Sequence, residues 1–376
     1  MRFTINNSLF TKIVSELHKL CSNKTLLPIL SGIKIEANKD GAVLTGGNSE
    51  VFIEKKIPLQ INGETVVEVH EAGSVVVLSK HFMNLLKKLP DDIEISSDNM
   101  QSVLIRSGDI ITRLNGLAAV EYPKLPEIKI LYSVEADFSS LREVVKQTIF
   151  AVSKSEAKPV LTGVKMEFEK NKLICTATDS HRLSRSEIRI TNSEGSHSFV
   201  VPSKSLMELL HLKESGFATV HISIAKNMIV FSTGNTILYS VLIEGNYPNT
   251  KSLIPTGIVT KMTLNTKALI AGIDRACVFS EEWKHNNVHL SMIETNVLKI
   301  ATLSTGIGMI EEKQRLSRVE GIPAIDMTFD GRFLLEALKE IQEEQVTISF
   351  CGLMKPAVIE PEGNSSYVQL ISPLRT

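Results

Sequence analysis

A chain of 376 residues, 43% hydrophobic and 22% charged, has room for two or three domains that each bury a core of their own. Its formal net charge of −1 gives no bulk electrostatic reason to bind nucleic acid, so any basic surface has to be local. No apolar run reaches the roughly 18 residues a membrane span needs, "MRFTINNSLF" lacks an apolar signal segment, and the expected location is cytoplasmic.

Taken in order, the first helix candidate is "NSLFTKIVSELHKL" from Asn7. "PILSGIKIE" from Pro28 then reads as a turn leading into an alternating strand, and "TGGNSEVFIEKKI" follows from Thr45. A second helix candidate, "SKHFMNLLKKL", starts at Ser79, and the proline-punctuated "EYPKLP" around Tyr122 reads as a linker. After a third helix candidate, "DFSSLREVVKQTIFAV", the pattern returns. "PVLTGVKME" starts at Pro159 and "TATDSHRLSRSEI" at Thr176, offsets of 159 − 28 = 131 and 176 − 45 = 131. This internal repeat places Asn48, Ser49 and Glu50 where Asp179, Ser180 and His181 stand. "PSKSLMELLHLK" is a fourth helix candidate, and "NYPNTKSLIP" around Tyr247 is a second linker. "NTKALIAGIDRACVF" and "DGRFLLEALKEIQEE" complete a set of six. Three blocks result, 1–127, 128–254 and 255–376, each holding twice a short strand, a polar turn and a helix. Most of the helices are expected to open on a capping Ser, Asn or Asp.

Apolar residues such as Leu334, Leu335, Leu338 and Ile341 recur at helical spacing and assign one face to a sheet. On the other face basic residues recur: Lys12 with Lys19, Lys80 with Lys87, Arg142 with Lys146, Lys204 with His211, Lys267 with Arg275, Arg332 with Lys339. A single charge stripe usually marks only a solvated face. Six helices sharing it point to an anionic partner, although Glu336 and Glu340 interrupt the pattern. Cys21, Cys175, Cys277 and Cys351 stand far apart, with no CxxC pair and no histidines at ligand spacing, so neither a disulfide framework nor a metal is expected. No glycine-rich phosphate loop ending in Lys-Ser or Lys-Thr occurs, and no cofactor is expected.

Asp179, Ser180 and His181 are the residue types of a hydrolytic triad. If the segment is extended, however, Ser180 points away from the other two. A binding surface fits better, because imidazole, guanidinium and isobutyl groups at His181, Arg182 and Leu183 offer a polar rim beside an apolar floor.

In order along the chain, "LLPILSGIKI", "TATDSHRL", "NYPNTKSLIP", "FDGRFLLEALK" and "VQLISPLRT" resemble the β sliding clamp family of bacterial DNA polymerase III, over essentially all of Met1 to Thr376. The resemblance implies an α+β DNA clamp fold of three similar domains, each of two strand-helix-sheet units. Two subunits would close head to tail into a homodimer ring, sheets outside and helices around duplex DNA. It implies a non-catalytic processivity factor, whose partners are the DNA polymerase III α subunit, the clamp loader, other polymerases and repair proteins, bound through short linear motifs. A peptide pocket is implied at Leu161, Thr178, His181, Arg182, Leu183, Pro248, Leu253, Leu370, Ser372, Pro373, Leu374 and Arg375. For DNA, the helix residues Lys12, Lys80, Arg142, Lys146, Lys204, Lys267 and Arg332 are joined by Lys24, Lys154 and Lys158, which match the family's DNA-contacting loops. The subunit contact is implied at Thr112, Val278 and Phe279. Two departures stand out: Thr112 replaces a frequent aromatic, and Ser372 replaces a bulky apolar residue. They fit a specialised second clamp copy, and a peptide-binding scaffold that does not encircle DNA is the other alternative.

Overall fold

The computed structural model describes residues 1–21, 27–90, 92–98, 101–125, 129–191, 195–212, 218–279, 287–304 and 308–374. Among them are the helices α1 (Asn7–His18), α2 (Ser79–Leu86), α3 (Phe138–Ile149), α4 (Ser203–His211), α5 (Thr266–Val278) and α6 (Gly331–Lys339). Each lies inside one of the six expected stretches. Side-chain oxygens of Asn6, Asn265 and Asp330 accept from the amides of Leu9, Ala268 and Arg332 and so cap α1, α5 and α6. By contrast α2 and α4 follow Leu78 and Pro202 without a side-chain cap, so capping is less general than the sequence implied. The expected polar turn before each helix is also missing where the connections are clearest. The strands Arg2–Ile5, Thr260–Asn265 and Asp326–Asp330 run into α1, α5 and α6 with at most one residue between.

The repeat holds residue for residue in the backbone. Strands Gly32–Asn38, Gly41–Gly47 and Val51–Pro58 have counterparts Gly163–Glu169, Lys172–Thr178 and Arg182–Arg189, each displaced by 163 − 32 = 172 − 41 = 182 − 51 = 131. Even the tight turns Pro28–Ser31 and Pro159–Thr162 match. Proline fixes φ at the start of both turns, and Gly32 and Gly163 follow with their α-carbons pressed on neighbouring backbone: an added Cβ would meet Val77 O at 3.0 Å and Val201 O at 2.7 Å.

Contacts divide the chain into two compact units, Met1–Phe138 with Glu214–Val241, and Ser139–Lys213 with Leu242–Thr376. In the first, a 13-stranded sheet includes a seam in which Val51–Pro58 pairs antiparallel with Thr236–Val241. Helices α1 and α2 pack on this sheet through Phe3, Phe10 and Phe82, whose rings meet edge-on at 6.2 and 5.8 Å. In the second unit, a nine-stranded sheet has the corresponding seam between Arg182–Arg189 and Tyr367–Ile371. A separate four-stranded sheet there ends on Gly308–Arg315. Leu269, Ile273, Leu334 and Leu338 of α5 and α6 are fully buried over Val288, Ile300, Phe329 and Ile348. Burying each such side chain stabilises by about 1.5–3 kcal/mol.

Candidate functional site

The turn from Thr178 to Arg182 is held by a set of side-chain hydrogen bonds. Tyr247 Oη accepts from the Thr178 amide at 3.1 Å, and Thr178 Oγ1 donates to Arg182 O at 2.6 Å while accepting from the Ser180 amide. Asp179 Oδ1 accepts from the amides of His181 and Arg182 at 3.0 Å each. Asn48 does the same for Glu50 and Val51 in the first copy, so a short side-chain acceptor closes the turn in both. Ser180 adopts φ of 79°, a left-handed conformation that costs an L-residue roughly 1–2 kcal/mol. The segment is therefore not extended, and the strand alternation expected to turn Ser180 away from Asp179 and His181 does not apply.

Arg182 lies under this turn with its side chain only 5% exposed. Its Nε donates to Asp179 Oδ2 at 3.0 Å, Nη2 to Phe150 O at 2.7 Å and Nη1 to Glu336 of α6. Phe333 lies under the guanidinium at 4.4 Å, and the His181 ring stacks on the same phenyl at 6.4 Å with 25° between planes. The carboxylate of Asp179 thus serves the guanidinium, and His181 is placed by an aromatic ring.

Beside this wall, Leu183 stands opposite Leu370 across the seam and packs with Val358, Val368 and Ile254. Ser372 N donates to His181 O at 2.9 Å, and Leu374 N to Thr328 O at 2.8 Å, so the last described residues run from the wall to the strand Asp326–Asp330. A cavity of about 420 Å³ adjoins Pro373 and Leu374, with His289, Thr328, Leu353 and Met354 in its lining. Of the other residues singled out from sequence, Leu161 is buried in the turn Pro159–Thr162, Pro248 and Leu253 are exposed, and Arg375 lies outside the described residues. Sequence reasoning missed Tyr247, Phe150, Phe333 and Glu336. Tyr247 left a signal in the Tyr-Pro pair shared with Tyr122, and Glu336 only an interruption of the basic stripe.

Among the basic residues, Lys12, Lys80, Lys146, Lys204, Lys267 and Arg332 are exposed on their helices, and Lys154 and Lys158 on the loop after α3; Lys24 lies outside the described residues. Arg142 is half-buried and donates to Leu210 O of α4 at 3.1 Å. Arg275 is held by Glu312 through two bonds of 2.8 and 2.7 Å. His18, whose Nδ1 is 2.9 Å from Ser79 Oγ, is lowered below the usual histidine pKa by burial and then by Lys87 and Lys80.

Two of the open strand edges lie at or near the residues expected at the subunit contact. Ile110–Leu117 pairs with Ser102–Ser107 over residues 110–115 and with Gly73–Leu78 only at Gly116 and Leu117. Ile111 is 63% exposed there, and Thr112 is half-buried. Gly308–Arg315 is the terminal strand of its sheet. Near it Val278 is 61% exposed, and the Phe279 ring lies beside Gly308. Among the described residues there is no cluster of His, Cys, Asp and Glu able to hold a metal. Burial raises the Cys21 thiol to about 11 and raises Cys175 further.

Family models of the DNA polymerase III beta subunit match the chain in three successive pieces: the N-terminal domain at residues 1–126, the central domain at 135–249 and the C-terminal domain at 251–375. The beta sliding clamp of Bacillus subtilis (strain 168) is 37% identical over 378 residues, with 100% of both chains covered. That of Staphylococcus aureus (strain Mu50 / ATCC 700699) is 36% identical over 377 residues with the same coverage. The crystal structure of the Bacillus subtilis DNA polymerase sliding clamp superposes with a TM-score of 0.96, covering 100% of this chain and 99% of that one. The beta chain from Streptococcus pneumoniae TIGR4 gives 0.94 at 31% identity, with 100% of both covered. The fold is the three-domain DNA clamp, built from helices and sheets. The chain belongs to the DNA polymerase III beta subunit family, the bacterial beta sliding clamps, which are processivity factors of DNA replication.

Proposed function

We propose that two copies of this chain close head to tail into a ring around duplex DNA and tether the replicative polymerase and other DNA-processing proteins through a peptide pocket. The observation that carries the ring is the pair of open, partly apolar strand edges at 110–115 and 308–315. Such an edge is an aggregation hazard unless it is covered. Each lies in a different part of the chain, so pairing one with the other on a second copy covers both. Thr112 would then sit in the contact with Val278 and Phe279 of the second copy. The blocks 1–127, 128–254 and 255–376 act as the three clamp domains, and the exposed lysines of the helices meet phosphates without reading sequence. A closed ring holds DNA by topology, so weak contacts suffice and sliding is allowed; a polymerase that lets go of the primer end stays at high effective concentration. The ring needs no catalytic residue, cofactor or metal of its own, and it acts in the cytoplasm, where an ATP-driven loader opens it.

The pocket we propose has a wall of Thr178, His181 and Arg182, a floor of Leu161, Leu183 and Leu370, and a rim of Pro248, Leu253, Ser372, Pro373 and Leu374; Arg375, expected with them from the sequence, lies outside the described residues. A short linear motif ending in apolar residues fits an apolar floor with a polar rim. The test of the ring is retention on nicked circular DNA in high salt, lost on linearisation. Equal loss from circular and linear DNA would leave a peptide-binding scaffold. Thr112→Phe should tighten the dimer by roughly 1–3 kcal/mol through added apolar area, read as a lower dissociation midpoint in light scattering. An unchanged midpoint removes Thr112 from the contact and takes away the reason to see a specialised second copy. Esterase activity that disappears in Ser180→Ala would instead favour a hydrolase.

A further inference from the structure

Glu336 is the acidic residue that breaks the basic stripe of α6. Arg332, Glu336 and Lys339 follow at intervals of four and three residues and so share one face of the helix. Arg332 and Lys339 are exposed, and Arg332 also reaches Asp330 at 3.4 Å. The Glu336 side chain is 42% exposed, and its carboxylate accepts from Arg182 Nη1. Of the three acceptors around that guanidinium, Asp179 is held by two amides and Phe150 O belongs to the backbone. Glu336 alone is free to exchange its bond for water. One turn of α6 therefore carries both the residue that a phosphate would meet and the residues, Phe333 and Glu336, on which the wall of the pocket rests.

We propose that Glu336 is a positioning residue that links anion binding along α6 to the peptide pocket, so that duplex DNA and a docked peptide strengthen each other. The inference rests on the docking and DNA-binding reading above. Phosphates beside Arg332 and Lys339 repel a Glu336 carboxylate that swings outward, because like charges near a surface raise each other's energy. The carboxylate is then held on Arg182, and the wall keeps the arrangement that a peptide meets. Linkage makes the effect mutual. Both charges face solvent in part, so the coupling is modest and fades with salt.

The experiment is an anisotropy titration of a fluorescein-labelled peptide ending in two leucines onto the full-length protein, with and without a saturating short blunt duplex, at low and high salt. At low salt the duplex should tighten the peptide by about two- to fivefold, the range of interactions between partly exposed charges. At high salt the effect should vanish. In Glu336→Gln, whose amide oxygen still accepts from Arg182, the ratio of affinities with and without duplex should fall to one, and the duplex itself should bind more tightly than to the wild type. No tightening in the wild type, or an equal ratio in Glu336→Gln, overturns the linkage. A failure of the docking reading looks different: the wild-type peptide signal would then be unaffected by deleting residues 372–376. Circular dichroism and a dimer measurement on Glu336→Gln confirm that the variant is folded, and Phe333→Leu, which loosens His181 and Arg182 together, should weaken the peptide even without DNA. Unchanged peptide affinity in folded Phe333→Leu also counts against α6 as the support of the wall.

Discussion

The two seams of the chain use one backbone and fill it differently. At the first, Val51–Pro58 meets Thr236–Val241; at the second, Arg182–Arg189 meets Tyr367–Ile371. The repeat sets Gly47 against Thr178, Val51 against Arg182 and Phe52 against Leu183. In the first copy the Phe52 ring packs edge-on against Tyr122 at 6.5 Å and reaches the cluster of Met228, Val230 and Tyr239. A Cβ on Gly47 would sit 2.4 Å from that ring, so glycine and phenylalanine there come as a pair. In the second copy a threonine and a leucine stand instead, the hydroxyl bonds the turn, and the smaller floor is walled by a buried cation and a histidine. A seam whose gap is filled by its own aromatics is scaffold. One that keeps a short floor and an organised polar wall has the build of a docking site.

The largest expected effect separates the seams at Val51 and Arg182. Arg182→Ala leaves the Asp179 carboxylate and the Phe150 carbonyl without their charged donor, and loss of one partner of a buried pair should cost about 3 kcal/mol or more in urea unfolding. Val51→Ala removes only apolar contact, roughly 1.5 kcal/mol. Equal costs would mean that the guanidinium contributes packing alone. Next, Phe52→Leu copies the floor of the second seam into the first. It should lose about 1–2 kcal/mol of aromatic packing without creating a second peptide site, because Glu50 and Val51 supply neither imidazole nor guanidinium. A stoichiometry of two peptides per chain would show that floor size alone makes a pocket.

Six helices and a repeat at 131 residues were legible because each rests on local chemistry. Apolar spacing shows a helix face, and Pro-x-Leu turns recur; that Asn48 and Asp179 close the same turn, three and four residues before the strand side chains that differ, is seen only in the structure. The network under the wall was not legible. Phe150, Phe333 and Glu336 are brought to Arg182 by sheet pairing between residues far apart, and nothing in their own neighbourhoods marks them. Glu336 was visible only as an interruption in a basic stripe, an irregularity whose explanation lies 154 residues away. The left-handed conformation of Ser180 was hidden for a related reason, since serine is not the residue that announces it.

Ser372, just past the end of the strand Tyr367–Ile371, tests the floor from the other side. Its side chain adds little apolar surface where a leucine would offer more, and regaining part of one side-chain burial, roughly 1–2 kcal/mol, corresponds to about five- to thirtyfold in affinity. Ser372→Leu should therefore tighten peptide binding by that factor in a titration, while deletion of residues 372–376 should abolish it. Leu370 and Ile371 must be left in place, as both are buried in the sheet. Weaker binding in Ser372→Leu would show that the hydroxyl itself meets the peptide.

The two linker tyrosines should differ by about 1 kcal/mol. Tyr247 Oη accepts from Thr178 N and donates to Thr176 O, so Tyr247→Phe strands a half-buried amide. Tyr122 Oη has the one long bond of 3.4 Å to Thr45 O, and its loss should be within a few tenths of a kcal/mol of neutral. Both hydroxyls are raised above the usual tyrosine range by burial, so neither ionises in these measurements. If Tyr122→Phe is the more damaging, the linker supports the filled seam more than the open one.

The smallest effect is one of sign. Ser180 has φ of 79°, whereas Ser49 lies outside the left-handed region. Glycine adopts positive φ without steric cost but gains freedom when unfolded. At Ser180 the relief of strain, about 1 kcal/mol, should exceed that loss and leave a net gain near 0.5 kcal/mol. At Ser49 there is no strain to relieve, so the same change should cost roughly 0.5–1 kcal/mol. Chemical denaturation of the two single variants measures both. A loss at both positions would mean that the Ser180 turn is not strained, because its hydrogen bonds from Thr178 and to Asp179 already repay the left-handed geometry; a gain at Ser180 with unchanged peptide affinity would place the strain in the fold and leave the docking wall indifferent to it.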